Sequence, residues 1–294
     1  MKLSSSYFPW CLLLVGGLIG CESKTAESIS TPSEEGPQVD ERPVYKIGVV
    51  PQWGADRLFE IWQPLVAYLS DETGLILKLE PTFSIPNFEK SFAEGEYDFA
   101  YMNPYHFLRA SKQQNYMPLV RDHNKQLTGI LVAAVDSDIK TVEELEGQRV
   151  DFPSPNALGA SLYMRTLLAR EFNIKCEPKF VQTHESVYRN VISRKAVAGG
   201  GVRRTLAAQA PELQKKLRVI YETPGVAPHP LAYHPRVPEE VVAKVKAAVI
   251  EMAKSEEGKK LLAGIPMTNP GPATKEDYQP LDDLKLDEFY QAPE

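Results

Sequence analysis

The feature that most constrains this chain is a repeated change of period. From residue 44 onward, short apolar runs alternating at every second residue give way to longer segments whose apolar residues recur every third or fourth position. Val44 to Val50 reads as a first strand, ending at the turn Pro51, Gln52, Trp53, Gly54. Leu58, Ile61, Trp62, Leu65, Val66 and Leu69 follow at helical spacing, with Pro64 either near the helix start or kinking it. Leu75, Leu77 and Leu79 alternate as a second strand, and Phe88 opens a helix that Gly95 stops before a strand at 98–102. Further strands are predicted at 130–135, 149–152, 179–182 and 218–221. Helices are predicted at 158–172, 184–194 and from Pro238 to about Lys254, and Thr141 with Glu144 forms a capping box. Strands interleaved with helices, without internal repeat, define an α/β protein.

The N-terminus sets the compartment. Lys2 precedes an apolar run from Cys11 to Ile19, and the run ends in Leu18, Ile19, Gly20, Cys21. That is a secretory signal with a lipobox, which makes residues 1–20 a signal peptide and Cys21 the lipidation site. The run is far short of the ~20 residues needed to span a bilayer. Residues 21–43 are polar, acidic and proline-bearing, the composition of a flexible tether. The chain carries a formal charge of −6, one unit more negative once Lys2 is removed, which disfavours nucleic acid and anionic membrane as general partners. Of three cysteines only Cys176 remains free after processing and acylation, so no internal disulfide can form.

Catalytic signatures are missing. There is no G-x-S-x-G elbow, and Gly199, Gly200 and Gly201 lead into Val202, Arg203 and Arg204 where a phosphate loop needs lysine and serine or threonine. No pair of the five histidines has a helical ligand spacing, and no metal or other cofactor is expected.

Three stretches have the chemistry of a binding cleft. Residues 152–161 leave a strand and open a helix, with Pro155 and Asn156 as turn and cap and with Ser154 and Ser161 as hydroxyl donors. Residues 182–189 repeat the arrangement, with Thr183 as cap and His184, Glu185 and Ser186 in the first turn. Gly199 to Gly201 let backbone approach a ligand closely, and of the adjacent Arg203 and Arg204 at most one can face the cleft. Tyr101, Asn103 and Tyr105 sit around a turn at a strand end, where α/β clefts lie, and Gln52 and Trp53 end the first strand in the same way. The bland alternative is capping for Asn156 and Thr183 and ordinary core for the aromatic residues.

Ile47 to Gln52, the Trp62-x-Pro64-Leu65 helix, the Gly95-x-x-Asp98-Phe99-Ala100 strand and residues 182–201, taken in order, resemble the PhnD-like family. These are substrate-binding proteins of phosphate, phosphite and phosphonate ABC transporters. The resemblance spans roughly residues 44–265 and implies a type II periplasmic-binding-protein fold, with two α/β lobes, two crossover segments and a ligand cleft between. It puts lobe one at 44–130 plus 222–294 and lobe two at 131–221. It implies a small oxyanion ligand, a membrane ABC permease as partner, a monomer, and a lipid-anchored place in the cell envelope, facing the periplasm or the cell exterior. Closure would need no chemical step.

The sequence departs from the family's phosphonate binders at several points. Asn156, Ala157 and Leu158 stand where those carry Ser-Thr-Ser, Met102 stands for a tyrosine, and Gly200 to Val202 for acidic or amide residues, while His184 keeps the family's histidine. The departures resemble a branch carrying F-P-S-P, S-V-Y-R, G-G-G-V-x-R-T and a T-P-G…P-H segment, matched by 152–155, 186–189, 199–205 and 223–229. Two alternatives share the same cleft physics: a sensor module for a membrane histidine kinase, and an envelope hydrolase.

Overall fold

The computed structural model describes residues 42–265 and 267–292. The expected signal peptide, Cys21 and the tether as far as residue 41 lie outside the described residues. Two sheets organise the rest. The first runs β11-β4-β10-β3-β1-β2 and the second β7-β6-β8-β5-β9. In chain order the first sheet takes β1 (Val44–Val49), β2 (Ile76–Pro81), β3 (Phe99–Tyr101) and β4 (Met117–Asp122). The second takes β5 (Gly129–Ala134), β6 (Arg149–Phe152), β7 (Glu177–Phe180), β8 (Ala198–Val202) and β9 (Leu217–Glu222). The chain then returns to the first sheet for β10 (Leu231–Tyr233) and β11 (Pro270–Pro272).

This double crossing makes two α/β lobes. The segments between β4 and β5 and between β9 and β10 pair with each other: Leu127 N donates to Val226 O (2.9 Å) and Val226 N to Leu127 O (3.0 Å). Such a two-stranded crossover bends as a unit.

The helices follow from capping and period. In lobe one α1 (Ala55–Thr73) buries Leu58, Trp62, Leu65, Val66 and Leu69 and continues through an exposed Pro64 to a left-handed Gly74. α2 (Ile85–Ala93) and α3 (Pro104–Gln114) carry proline in the first turn, where a missing N–H costs nothing. In lobe two, α4 (Tyr163–Arg170) is entered through a wide π-helical turn, Leu158–Leu162, and α5 (His184–Ile192) starts at the Thr183 cap. Ile130 and Val132 pack with the α5 residues Val187, Tyr188 and Val191, while Leu131 packs with Met164 and Leu168 of α4. Alternation along β5 thus places the two helices on opposite faces of the sheet. Among the described residues no helix is long and apolar enough to cross a membrane.

Two local expectations are revised. The strand expected at 179–182 pairs instead at Glu177–Phe180, because Gln182 takes a left-handed φ of 72° that ends the ladder. The glycine run, expected to let backbone approach a ligand, serves packing. A Cβ on Gly200 would sit 1.9 Å from Ala160 O, and one on Gly129 1.9 Å from Gly159 O. Sheet and π-helical turn meet backbone to backbone, which only hydrogen at these positions allows.

Gly200→Ala or Gly129→Ala should therefore cost about 1–3 kcal/mol or more of stability, read by urea unfolding. Gly54→Ala, whose Cβ meets nothing within 4 Å, should stay within about 0.5 kcal/mol of the parent.

Candidate functional site

A cleft of about 450 Å³ lies between the sheets and is lined from both lobes and the crossover. Five helical segments begin on it: Gly54, Ser84, Asn103, Ala157 and Thr183, which precede α1, α2, α3, the π-helical turn and α5, are all lining residues. Three cap by side chain. Ser84 Oγ accepts from Asn87 N (3.3 Å), Asn103 Oδ1 from His106 N (2.8 Å) and Thr183 Oγ1 from Ser186 N (3.1 Å). The other first-turn N–H groups and the helix dipoles favour an anion in the cleft, offset in part by Asp56 and Glu185 in the first turns of α1 and α5. No Asp, Glu, Lys or Arg is among the lining residues.

Two polar atoms at the cleft are buried without a hydrogen-bond partner, Ser154 Oγ and His184 Nδ1. His184 keeps part of its surface on the wall while Nδ1 is enclosed, and desolvation lowers its pKa from 6.5 to about 4. His229, which is 7% exposed, lies 2.8 Å through Nε2 from Gln52 Nε2. An amide nitrogen only donates, so the ring nitrogen accepts and the ring is neutral. Desolvation, aided by His106 and Arg204, lowers its pKa to about 3. Gln182 lines the cleft in its left-handed conformation, the kind of backbone strain that collects at binding sites.

The expected site residues divide. Gln52, Trp53, Asn103, Ser154 and His184 line the cleft. Tyr101 lies behind it, stacked on His229 with ring centroids 5.4 Å apart, its buried hydroxyl without a partner and its pKa raised by desolvation. Tyr105 turns away to donate to Asp287 Oδ1 (2.6 Å). Asn156 does not cap its helix; Ala157 takes that position without a side-chain bond. Its amide donates to Glu89 Oε2 (3.0 Å) and Gln291 O (2.6 Å) and accepts from Gln291 N (3.0 Å). Ser161 is buried and accepts from Arg165 Nε (3.2 Å). Ser186 accepts from Thr183 Oγ1 (2.8 Å), and Glu185 pairs with Arg189 on the surface.

Arg203 and Arg204 diverge as consecutive residues must. Arg203 pairs with Glu222 outside the cleft, whereas Arg204 is half-buried, donates to Gly264 O and sits 5.9 Å from the Trp53 ring centroid. Arg57 also lies over the Trp53 ring, 4.1 Å from its centroid. Beyond the expected residues, His229, at the end of the Thr223 to His229 segment, lines the cleft, as does Ser84, whose signal in the sequence is the Ser-Ile-Pro helix start. Among the described residues no three of His, Cys, Asp and Glu gather as metal ligands.

The C-terminal segment straps the lobes together. On the lobe-one side Tyr105 holds Asp287, and Arg109 lies 4.1 Å from the Tyr290 ring centroid. On the lobe-two side Arg165 Nη2 donates to Phe289 O (2.8 Å), Arg170 Nη1 to Leu284 O (2.7 Å), and Asn156 holds Gln291.

Two α/β lobes, a paired double crossover and a cleft between them define a type II periplasmic binding protein. The chain belongs to the phosphonate-binding family, whose model, described as "ABC transporter, phosphonate, periplasmic substrate-binding protein", matches residues 47–278. The family is a substrate-binding transport component and not an enzyme. The fold is similar to PhnD1 from Prochlorococcus marinus, solved in complex with methylphosphonate, at TM-score 0.76 and 17% identity, covering 83% of this chain and 98% of that one. It is similar to a binding-protein component of an ABC phosphonate transporter from Pseudomonas aeruginosa at TM-score 0.74 and 17% identity, over 83% and 86% of the two chains. A Xanthomonas citri protein solved bound to ATP matches at TM-score 0.71 and 12% identity, over 84% and 99%.

The two cleft histidines give a pH signature. Both pKa values are depressed below 6.5 in the fold, to about 4 for His184 and about 3 for His229, so unfolding takes up protons as the pH drops below 6.5. The stability they contribute is whole above pH 6.5 and is lost as pH falls towards 4. The melting temperature should fall between pH 7 and pH 5, and less steeply in His184→Gln; identical slopes would refute the assignment.

Proposed function

We propose that this chain is a lipid-anchored receptor that captures a small oxyanion, of the phosphate, phosphite or phosphonate kind, and hands it to an ABC permease. The observation that carries the reading is the convergence of five helix starts on a cleft lined by no ionised side chain. Unpaired N–H donors favour an anion there and nothing in the lining repels one. Ser154 and His184 supply side-chain donors, with Gln52, Trp53 and Asn103 as further contacts. Tyr101 and Arg204 act from behind that wall, one beneath His229 and the other beside Trp53. Tyr105, Asn156, Ser161, Glu185, Ser186 and Arg203 are left with structural roles. The lobes that close are taken as 44–130 with 222–294, and 131–221, turning about the paired crossover. The protein works as a monomer tethered through Cys21, facing the periplasm or the cell exterior.

Closure gives the oxyanion donors from both lobes at once, which a half-open cleft cannot, so ligand and closed state favour each other. Calorimetric titration with phosphate, phosphite, methylphosphonate and 2-aminoethylphosphonate tests the reading, and no heat from any of them would sink it. Ser154→Ala and His184→Ala should each weaken the observed binding by about 1–3 kcal/mol. For the anchor, Cys21→Ala should move the protein from the membrane fraction to the soluble fraction, and an unchanged distribution would disprove lipidation at that residue.

A further inference from the structure

The cleft offers an oxyanion far more room, and a different kind of wall, than the anion alone requires. Its volume of about 450 Å³ falls in the ~300–1,000 Å³ range of sites that enclose an organic ligand. Trp53, Phe83, Ile85, Leu127, Leu158 and Phe180 all line it, and Phe83 is 69% exposed, an aromatic ring held at the cleft without a protein partner to cover it. An inorganic oxyanion on the helix starts would leave most of that apolar wall wetted.

The wall also discriminates by charge. An ammonium group entering the cleft would meet five positive helix ends and no lining carboxylate. Of the acidic residues near the lining in sequence, Glu185 pairs with Arg189, Asp151 pairs with Arg149 and Glu89 Oε1 is 3.1 Å from His106 Nε2, while Asp56, exposed in the first turn of α1, is not among the lining residues. Ser154, 7% exposed with its Oγ unpartnered, supplies a built donor for the anionic end.

Building on the oxyanion reading above, we infer that the ligand is an organic phosphonate or phosphate monoester whose substituent is uncharged and apolar, and that the cleft discriminates against ammonium-bearing analogues. The substituent packs on the aromatic and aliphatic wall while the oxyanion takes the helix donors.

The test is calorimetric titration of the purified protein with phosphate, phenylphosphonate, propylphosphonate and 2-aminoethylphosphonate at one pH and ionic strength. Phenylphosphonate should bind ~10-fold or more tighter than phosphate, the gain from burying about one ring against apolar wall. Aminoethylphosphonate should bind more weakly than propylphosphonate. Phe83→Asp, at a position exposed enough to spare the fold, should reverse that second ranking. Phosphate binding as tightly as phenylphosphonate, or aminoethylphosphonate outranking propylphosphonate, overturns the inference and leaves the oxyanion reading standing. Silence towards all four anions removes the oxyanion reading and this inference with it.

Discussion

The contact on which the cleft depends is the one between the π-helical turn and the five-stranded sheet. Gly129 and Gly200 present bare backbone to Gly159 O and Ala160 O, at a spacing where any Cβ would clash. Because the turn sits that low, Ala157 and the first N–H groups of the π-helical turn that follows it come to the edge of the sheet. β5 and β8 cannot carry side chains at this seam, so the sheet gives up local packing to set a helix end beside the cleft. A π-helical turn costs regular hydrogen bonding, and its occurrence here, at the mouth of a binding site, follows the usual association of such turns with function.

On the oxyanion reading, binding without a cation in the lining follows from the same economy of charge. Salt bridges to a buried arginine would raise affinity but would also need that arginine desolvated in the open, empty state. Dipoles and N–H groups are already oriented by the helices they belong to, and cost little reorganisation when ligand arrives. Arg204 is kept one layer back, behind Trp53, where desolvation lowers its pKa while the neighbouring Tyr101 opposes that shift. Arg204 thus stands beside the cleft without being among its lining residues.

Much of the fold was legible because it rests on local rules. The alternation of periods gives the α/β class, Thr183 gives a helix start, and Pro238 opens the helix Glu239–Met252, whereas the Asn103-Pro104 turn gives no sign that it also opens a helix. The site was legible only in part, because its chemistry depends on contacts far apart in sequence. Asn156 reads as a cap until Gln291, 135 residues away, takes its amide. Tyr101 reads as a cleft residue until His229, arriving with β10, covers it. The Gly199 to Gly201 run reads as a ligand cradle, since nothing local reveals that Ala160 and Tyr188 lie against it.

The strap formed by residues 284–291 has a practical corollary for anyone wishing to watch the cleft close. It touches both lobes, being held by Tyr105 and Arg109 on one side and by Arg165, Arg170 and Asn156 on the other. A fluorophore or fusion domain placed at the C-terminus would ride on both bodies at once and report little of their relative motion. Reporter pairs for this protein belong on opposite lobes, clear of residues 284–291, so that the strap keeps its contacts with both.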